Sequence, residues 1–173
     1  MANAPGTGGE KVVRAKPGKY LTFKLGGGDY GIEIIKVVEI IKLMPITHVP
    51  RMPDFVRGVI NLRGKVIPVM ELRSRFGMEH VDDSSNTCII VVGLKTASGE
   101  VQMGTLVDAV SEVLDVAGAD LEPAPAFGGR EVDTSFILGM AKSKGAVRIL
   151  LDINRILNEE ELDRVAEIPT GAK

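Results

Sequence analysis

The chain contains an internal repeat, and this repeat limits the possible fold more than any other feature of the sequence. The segment YGIEIIKVVEII (30–41) aligns with MGTLVDAVSEVL (103–114) at an offset of 73 residues. The segment GVINLRGKVIPVMEL (58–72) aligns with GMAKSKGAVRILLDI (139–153) at an offset of 81 residues. Because both alignments occur in the same order, we predict a duplication, with about eight extra residues of the second copy in the loop around 123–133.

The aligned positions carry similar residues in both copies. The matched pairs include Gly31 with Gly104, Val37 with Val110, Glu39 with Glu112, Ile40 with Val113, Arg63 with Lys144 and Gly64 with Gly145. We therefore predict two related β units, at roughly 19–80 and 86–158. The repeat leaves open whether a strand is exchanged between the two units.

Short runs of alternating apolar residues, separated by glycines, indicate β-hairpins. Residues 20–25 and 30–35 alternate on either side of GGGD (26–29), which predicts a hairpin with a glycine turn. Residues 87–94 and 101–107 repeat the same pattern. The regular spacing of these runs predicts small β-barrels or a β-sandwich.

One helix is predicted near the C-terminus. Asn158 is a suitable N-cap, and acidic residues follow it, where the positive end of a helix favours them. Leu162, Val165 and Ile168 then fall on one face. We expect a short packing helix, with residues 163–173 forming its end and a tail.

The composition is that of a soluble globular protein, with 45% hydrophobic and 25% charged residues. A net charge of −2 and the absence of tryptophan argue against nucleic acid as a partner, because such binding needs a basic surface or stacking aromatic rings. Residues 1–18 are rich in Gly, Pro, Ala and Lys, and we predict a disordered N-terminal tail.

The apolar runs and the cysteine content indicate the compartment. All apolar runs are far shorter than the ~18 residues that span a bilayer, so we expect no membrane insertion. A single cysteine, Cys88, cannot form an internal disulfide, and the N-terminus lacks the pattern of a signal peptide. We predict a cytoplasmic protein in which Cys88, at the start of the run CIIVV, is buried and structural.

The sequence offers no convincing chemical site. His48 and His80 are isolated and do not have the spacing of metal ligands. The glycine-rich segments GTGGE (6–10) and GGGDYG (26–31) do not follow a strand and open a helix, as phosphate-binding loops do. We therefore expect no catalytic residue, no metal and no cofactor.

An arginine lies at the centre of the most hydrophobic passage of the chain. Residues 59–62 and 66–70 read as two strands joined at Arg63-Gly64, and we expect Gly64 to supply a positive φ. Arg63 then stands at a hairpin tip, either as a solubilising charge or as the anchor of an interface. Pro68 cannot donate a backbone hydrogen bond, so the second strand is expected to be an edge strand or to carry a bulge.

Four segments together resemble the CheW family of bacterial chemotaxis coupling proteins. These segments are YGIEIIKVVEI (30–40), PDFVRGVINLRGKVIPVMELRSRFG (53–77), GTLVDAVSEVL (104–114) and ILLDINRIL (149–157). The resemblance covers roughly residues 19–162, and its most specific part is VRGVINLRGKVIPVMELR. Because little sequence flanks this region, we expect a standalone adaptor and not a fusion with a receiver domain or a kinase.

The resemblance implies a fold and a function. The fold is all-β, with two five-stranded SH3-like β-barrels around a shared hydrophobic core. The function is that of a non-catalytic adaptor, which joins chemoreceptor cytoplasmic tips to the chemotaxis histidine kinase, through the kinase's C-terminal regulatory domain. Such an adaptor is cytoplasmic and reaches membrane-associated receptor clusters through its partners.

The resemblance also implies partner-binding residues. Val37 and Glu39 of KVVEI, Arg63 of NLRG and Val113 of VSEVL match positions where the family is thought to bind receptors or tune kinase control. Gly64 is expected to be a structural turn residue. A small-ligand-binding barrel or an unrecognised hydrolase is the alternative of a different class, and titration with metabolites or an activity screen would distinguish it from an adaptor.

Overall fold

The computed structural model describes residues 15–96, 99–124 and 135–166. The strands are β1 Gly18–Leu25, β2 Gly28–Glu33, β3 Val37–Lys42, β4 Val56–Leu62, β5 Lys65–Glu71, β6 Cys88–Thr96, β7 Gly99–Val107, β8 Ala109–Val116, β9 Leu121–Glu122, β10 Ile137–Ser143 and β11 Ala146–Leu151. The helices are α1 Leu72–Arg75 and α2 Glu159–Ala166, and short 3-10 turns lie at Ile34–Lys36, Gly118–Asp120 and Ile153–Arg155.

The strands form two sheets. The five-stranded sheet has the order β3-β6-β7-β5-β4, and the six-stranded sheet has the order β8-β1-β2-β11-β10-β9. The predicted all-β class with a short C-terminal helix is confirmed. The strand count differs from five in each unit because β9, with only two residues, adds to the end of one sheet.

The two sheets exchange hairpins. The hairpin β1–β2 comes from the first half of the chain, yet it lies between β8 and β11 in the six-stranded sheet. The hairpin β6–β7 comes from the second half, and it lies between β3 and β5. The predicted units 19–80 and 86–158 are continuous in sequence, whereas each sheet of the structure takes strands from both ranges.

The exchanged hairpins are buried on both faces. In β1, Leu21 belongs to a large apolar cluster shared by the two sheets, and Tyr20 belongs to a cluster within the six-stranded sheet. In β6, Ile90 joins the shared cluster, and Ile89 joins a cluster within the five-stranded sheet. A strand covered on both faces needs apolar residues without alternation, which explains the continuous run CIIVV. The shared cluster is the common core that the family resemblance implies.

Two expectations about single residues are corrected by the pairing. Cys88 is only partly buried, because it is the first residue of β6, and its Sγ lies 3.3 Å from the carbonyl oxygen of Asn86. Pro68 is not on an edge strand, because β5 lies between β4 and β7. The pairing of β5 with β7 begins only at Val69, one residue after the proline.

The ends of the described chain add detail to the predicted tails. Ala15, within the predicted N-terminal tail, is 7% exposed, and its N–H donates to the carbonyl of Leu138 over 3.1 Å. Residues 15–18 thus belong to the fold, while residues 1–14 lie outside the described part. Helix α2 begins directly after Asn158, and it buries Leu162 and Val165 as predicted. Ile168, the third residue of the predicted face, lies outside the described residues with the rest of 167–173.

Candidate partner-binding site

Strand β3 presents an apolar surface at the end of the five-stranded sheet. Among the described strands, it pairs with β6 alone, so one of its edges is unpaired. Val37 and Glu39 are half-buried, whereas Val38 and Ile40 are 48% and 43% exposed, and the register of β3 against β6 shifts between Val37 and Glu39. Ile35, in the turn before the strand, is 84% exposed. Exposed apolar residues beside an unpaired strand edge are typical of a protein-binding surface.

Arg63 is brought to this surface by the turn between β4 and β5. Arg63 and Gly64 form a two-residue connection with φ values of 55° and 87°. Positive values at both positions define the turn that suits the twist of paired strands, and Gly64 adopts its value without a Cβ to oppose it. The Arg63 guanidinium forms an ion pair with the Glu39 carboxylate on β3.

This ion pair is only partly shielded from water. The side chain of Arg63 is 68% exposed and that of Glu39 is 30% exposed. An ion pair in such a setting contributes about 0–1 kcal/mol to stability. Most N–H donors of the guanidinium therefore remain available to a partner, and engaging them would lower the stability of the fold only slightly. A partner that excludes water from this surface would strengthen the hydrogen bonds and ion pairs of Arg63.

The other copy of the repeat contains a similar arrangement in the six-stranded sheet. Lys144, at the turn between β10 and β11, lies 3.5 Å from a carboxylate oxygen of Glu112 on β8. Arg148 on β11 lies 3.8 Å from the other oxygen of the same carboxylate. Val113 and Val147 are 50% and 52% exposed. Each turn thus joins its hairpin to an end strand through a positively charged side chain.

The structure brings some of the predicted partner-binding residues together. Glu39 and Arg63 are in direct contact, and Val37 lies two residues before Glu39 on β3, across a shift in the strand register. Val113 lies in the other sheet, on the strand that corresponds to β3, and it is not part of this ion pair. The roles of these residues in binding remain predictions.

Ile35, Val38 and Ile40 are surface residues that the sequence pattern did not predict. In VVEIIK, apolar residues occupy both alternating positions, so the pattern does not show which face is covered. One available signal was Glu39, because a carboxylate half-buried on one face implies that Ile40, the next residue of the strand, points the other way. The resemblance selected Val37 and Glu39 and omitted the exposed neighbours between and beside them.

The helices of this protein are short. Among the residues that the structure describes, no helix is long and apolar enough to cross a membrane, and α2 has only eight residues.

The family comparison matches most of the chain. The family model described as "CheW-like domain" matches residues 19–161. The chemotaxis protein CheW of Klebsiella aerogenes is 35% identical, over 87% of this chain and 87% of the relative. The chemotaxis protein CheW of Bacillus subtilis is 30% identical, over 82% of this chain and 88% of the relative.

A solved structure has the same fold. The crystal structure of the scaffolding protein TtCheW from Thermoanaerobacter tengcongensis superposes with a TM-score of 0.73 at 34% sequence identity. The match covers 84% of this chain and 96% of that protein. The similarity thus extends over both sheets and is not confined to one hairpin.

Proposed function

Because this chain belongs to the CheW family of chemotaxis scaffolding proteins, we propose that it couples chemoreceptor cytoplasmic tips to the chemotaxis histidine kinase. In this role the protein is a non-catalytic adaptor that places kinase activity under the control of receptors. It acts in the cytoplasm, at receptor clusters that it reaches through its partners. Its second partner is the C-terminal regulatory domain of the kinase.

The observation that supports this role most directly is the Arg63–Glu39 ion pair beside the apolar edge of β3. Val38 and Ile40 supply apolar area, and Arg63 supplies a charged anchor at its border. Interfaces commonly combine an apolar centre with arginine contacts that give specificity and orientation. We assign the partner-binding role to Val37, Glu39, Arg63 and Val113, with Arg63 as the residue whose change has the largest effect.

Charge reversal at Arg63 tests the proposal. The assay contains receptor-bearing membranes, the histidine kinase and this protein, and it measures kinase autophosphorylation with and without attractant. We expect Arg63→Glu to keep the circular dichroism spectrum and melting temperature, because an exposed pair contributes little to folding. The variant should lose receptor control, because repulsion at a desolvated contact costs about 2 kcal/mol or more.

Lys144→Glu is the matched control, since Lys144 occupies the corresponding turn and also contacts a glutamate. We expect this variant to affect receptor control much less than Arg63→Glu does. If the unmodified protein did not restore receptor control, the proposed function would be wrong. If both reversals were silent, Arg63 would be an ordinary surface charge, and the binding surface would lie elsewhere.

A further inference from the structure

The two hairpin turns have similar backbone φ angles. Arg63 and Gly64 have φ values of 55° and 87°, and Lys144 and Gly145 have values of 53° and 78°. Each turn places a non-glycine residue in the left-handed region, which is uncommon for a residue with a Cβ. The turns therefore allow a comparison within one molecule, in which the φ angles are similar and the surrounding side chains differ.

The side chain that braces the first turn has no counterpart in the second. The Oδ1 atom of Asn61 accepts a hydrogen bond from the N–H of Gly64 over 2.8 Å. The corresponding residue of the other turn is Lys142, whose side chain has no acceptor atom and whose Nζ lies 2.9 Å from Glu122. The second turn has similar φ values without this acceptor, and there Arg148 Nη1 donates to the Ser143 carbonyl over 3.1 Å instead. An acceptor at the position of Asn61 is therefore not the only means of holding such a turn.

The brace acts on the torsion that aims Arg63. The N–H of Gly64 belongs to the rigid peptide plane that follows Arg63, so holding this N–H restricts the ψ angle of Arg63. Arg63 already has a positive φ, which is uncommon for a residue with a Cβ. Its side chain is 68% exposed, so little packing holds it in place. Glu39 lies on a different strand, so the ion pair forms only while the turn keeps its direction.

We propose that Asn61 is a positioning residue, which holds the Arg63 guanidinium at Glu39 and at the partner-binding surface. The proposal rests on the proposed function of that surface. It differs from a folding role because the turn between β10 and β11 reaches similar φ values with no acceptor at the position of Asn61. The proposal also gives a role to the side chain of Asn61, which is exposed to solvent on β4 and is not needed for packing.

The test compares Asn61→Ala with Lys142→Ala, the matched change before the other turn. In the free protein, we expect Asn61→Ala to speed amide exchange at Gly64 about three- to tenfold, which corresponds to the loss of one hydrogen bond. The side-chain N–H resonances of Arg63 should broaden or move toward the values of a free guanidinium. In the reconstituted kinase assay, the half-saturating concentration of the protein should rise about three- to tenfold.

Lys142→Ala should leave all three measurements unchanged, and both variants should keep the melting temperature of the unmodified protein. Asn61→Asp keeps an acceptor oxygen in the same place, so it should restore slow exchange at Gly64. The positioning role is wrong if Asn61→Ala leaves the Arg63 resonances or the half-saturating concentration unchanged, or if Lys142→Ala has an equal effect. If the unmodified protein fails to couple receptor and kinase, the proposed function fails, and the resonances of Arg63 in the free protein still decide whether Asn61 positions it.

Discussion

At the scale of single residues, Gly58 is the position at which the backbone leaves no room for a side chain. Thr47 and Val59 exchange two backbone hydrogen bonds of 2.8 Å, and these bonds bring the Thr47 carbonyl against Gly58. A Cβ on Gly58 would lie 2.2 Å from that carbonyl oxygen, and its φ of 152° is itself unfavourable for other residues. The glycine thus permits the segment after β3 to cross over β4.

We predict that Gly58→Ala lowers the free energy of unfolding by about 2–5 kcal/mol, through backbone strain and the forced movement of Thr47. Gly64→Ala is the control, because a Cβ there meets nothing within 4 Å. It should lower the free energy by only about 1–2 kcal/mol, through its positive φ. Urea unfolding followed by circular dichroism measures both values, and equal losses would contradict the close contact at Gly58.

The sequence predicted the turn at Arg63-Gly64, but it did not predict the contact between Arg63 and Glu39. The Arg63-Gly64 turn follows from local signals, namely two apolar runs and a glycine that can take a positive φ. The contact between Arg63 and Glu39 joins residues separated by 24 positions, and their distance depends on how β3 and β4 are arranged in space. This arrangement depends on how side chains pack across the sheet, and the order of apolar and polar residues near Arg63 does not show it.

At the scale of elements, helix α2 is held by its first turn. Asn158 Oδ1 accepts from the N–H of Glu161 over 2.7 Å, and Glu161 Oε1 accepts from the N–H of Asn158 over 2.9 Å. Arg75, at the end of α1, donates to the same Glu161 oxygen over 3.2 Å and to the Ile156 carbonyl over 2.7 Å. This reciprocal cap matters because an eight-residue helix is too short to be stable by itself.

We expect Asn158→Ala to lower the free energy of unfolding by about 1 kcal/mol and to speed amide exchange throughout α2. Asn158→Asp keeps the oxygen that caps the helix, so it should behave like the unmodified protein. Hydrogen exchange resolved by residue distinguishes a local opening of α2 from global unfolding. An equal effect of the two substitutions would show that the cap does not hold the helix.

Elements were predictable where their signals are local. The hairpins and α2 follow from alternation, glycine turns and an N-cap within a few residues. The sheet that each hairpin joins was not predictable, because the relevant contacts are distant in sequence. Thr22 on β1, for example, donates to the Glu112 carbonyl on β8, 90 residues away. The repeat indicated two units, but it could not show that each receives its neighbour's hairpin.

At the scale of the whole molecule, Asp108 joins the two sheets where the chain passes from β7 to β8. Its carboxylate accepts hydrogen bonds from Arg73 Nη2 over 2.7 Å and from the N–H of Gly26, in the β1–β2 turn, over 2.9 Å. Partial burial raises the pKa of this carboxyl, but the hydrogen bonds and the charge of Arg73 outweigh it, so the pKa lies below its ordinary value.

A lowered pKa in the folded state means that ionised Asp108 stabilises the fold above the unfolded-state pKa of about 3.9. This stabilisation is lost as the pH falls through the folded-state pKa. We predict that Asp108→Asn lowers the free energy of unfolding by about 1–2 kcal/mol at neutral pH. The difference from the unmodified protein should shrink as the pH falls below about 4.

Urea unfolding at a series of pH values measures this difference. Asp115→Asn is the control, because Asp115 is 73% exposed and its ion pair, over 3.3 Å, is with the exposed Lys19. We expect the control to change stability by no more than about 0.5 kcal/mol at any pH. A difference for Asp108→Asn that stayed constant down to about pH 3 would contradict the assigned ionisation.

The exchanged hairpins also affect how the protein is made. During translation β1 emerges from the ribosome early, whereas β8, its neighbour in the sheet, is synthesised about 90 residues later. At roughly 5–20 residues per second, the β1–β2 hairpin is without β8 for several seconds, and the edge of β1 that pairs with β8 stays open during that time. The five-stranded sheet, with all its strands between Val37 and Val107, is complete well before the six-stranded sheet. The nascent protein therefore passes through a stage in which the β1–β2 hairpin has been synthesised, while β8 and β11, the strands that flank it in the finished sheet, have not.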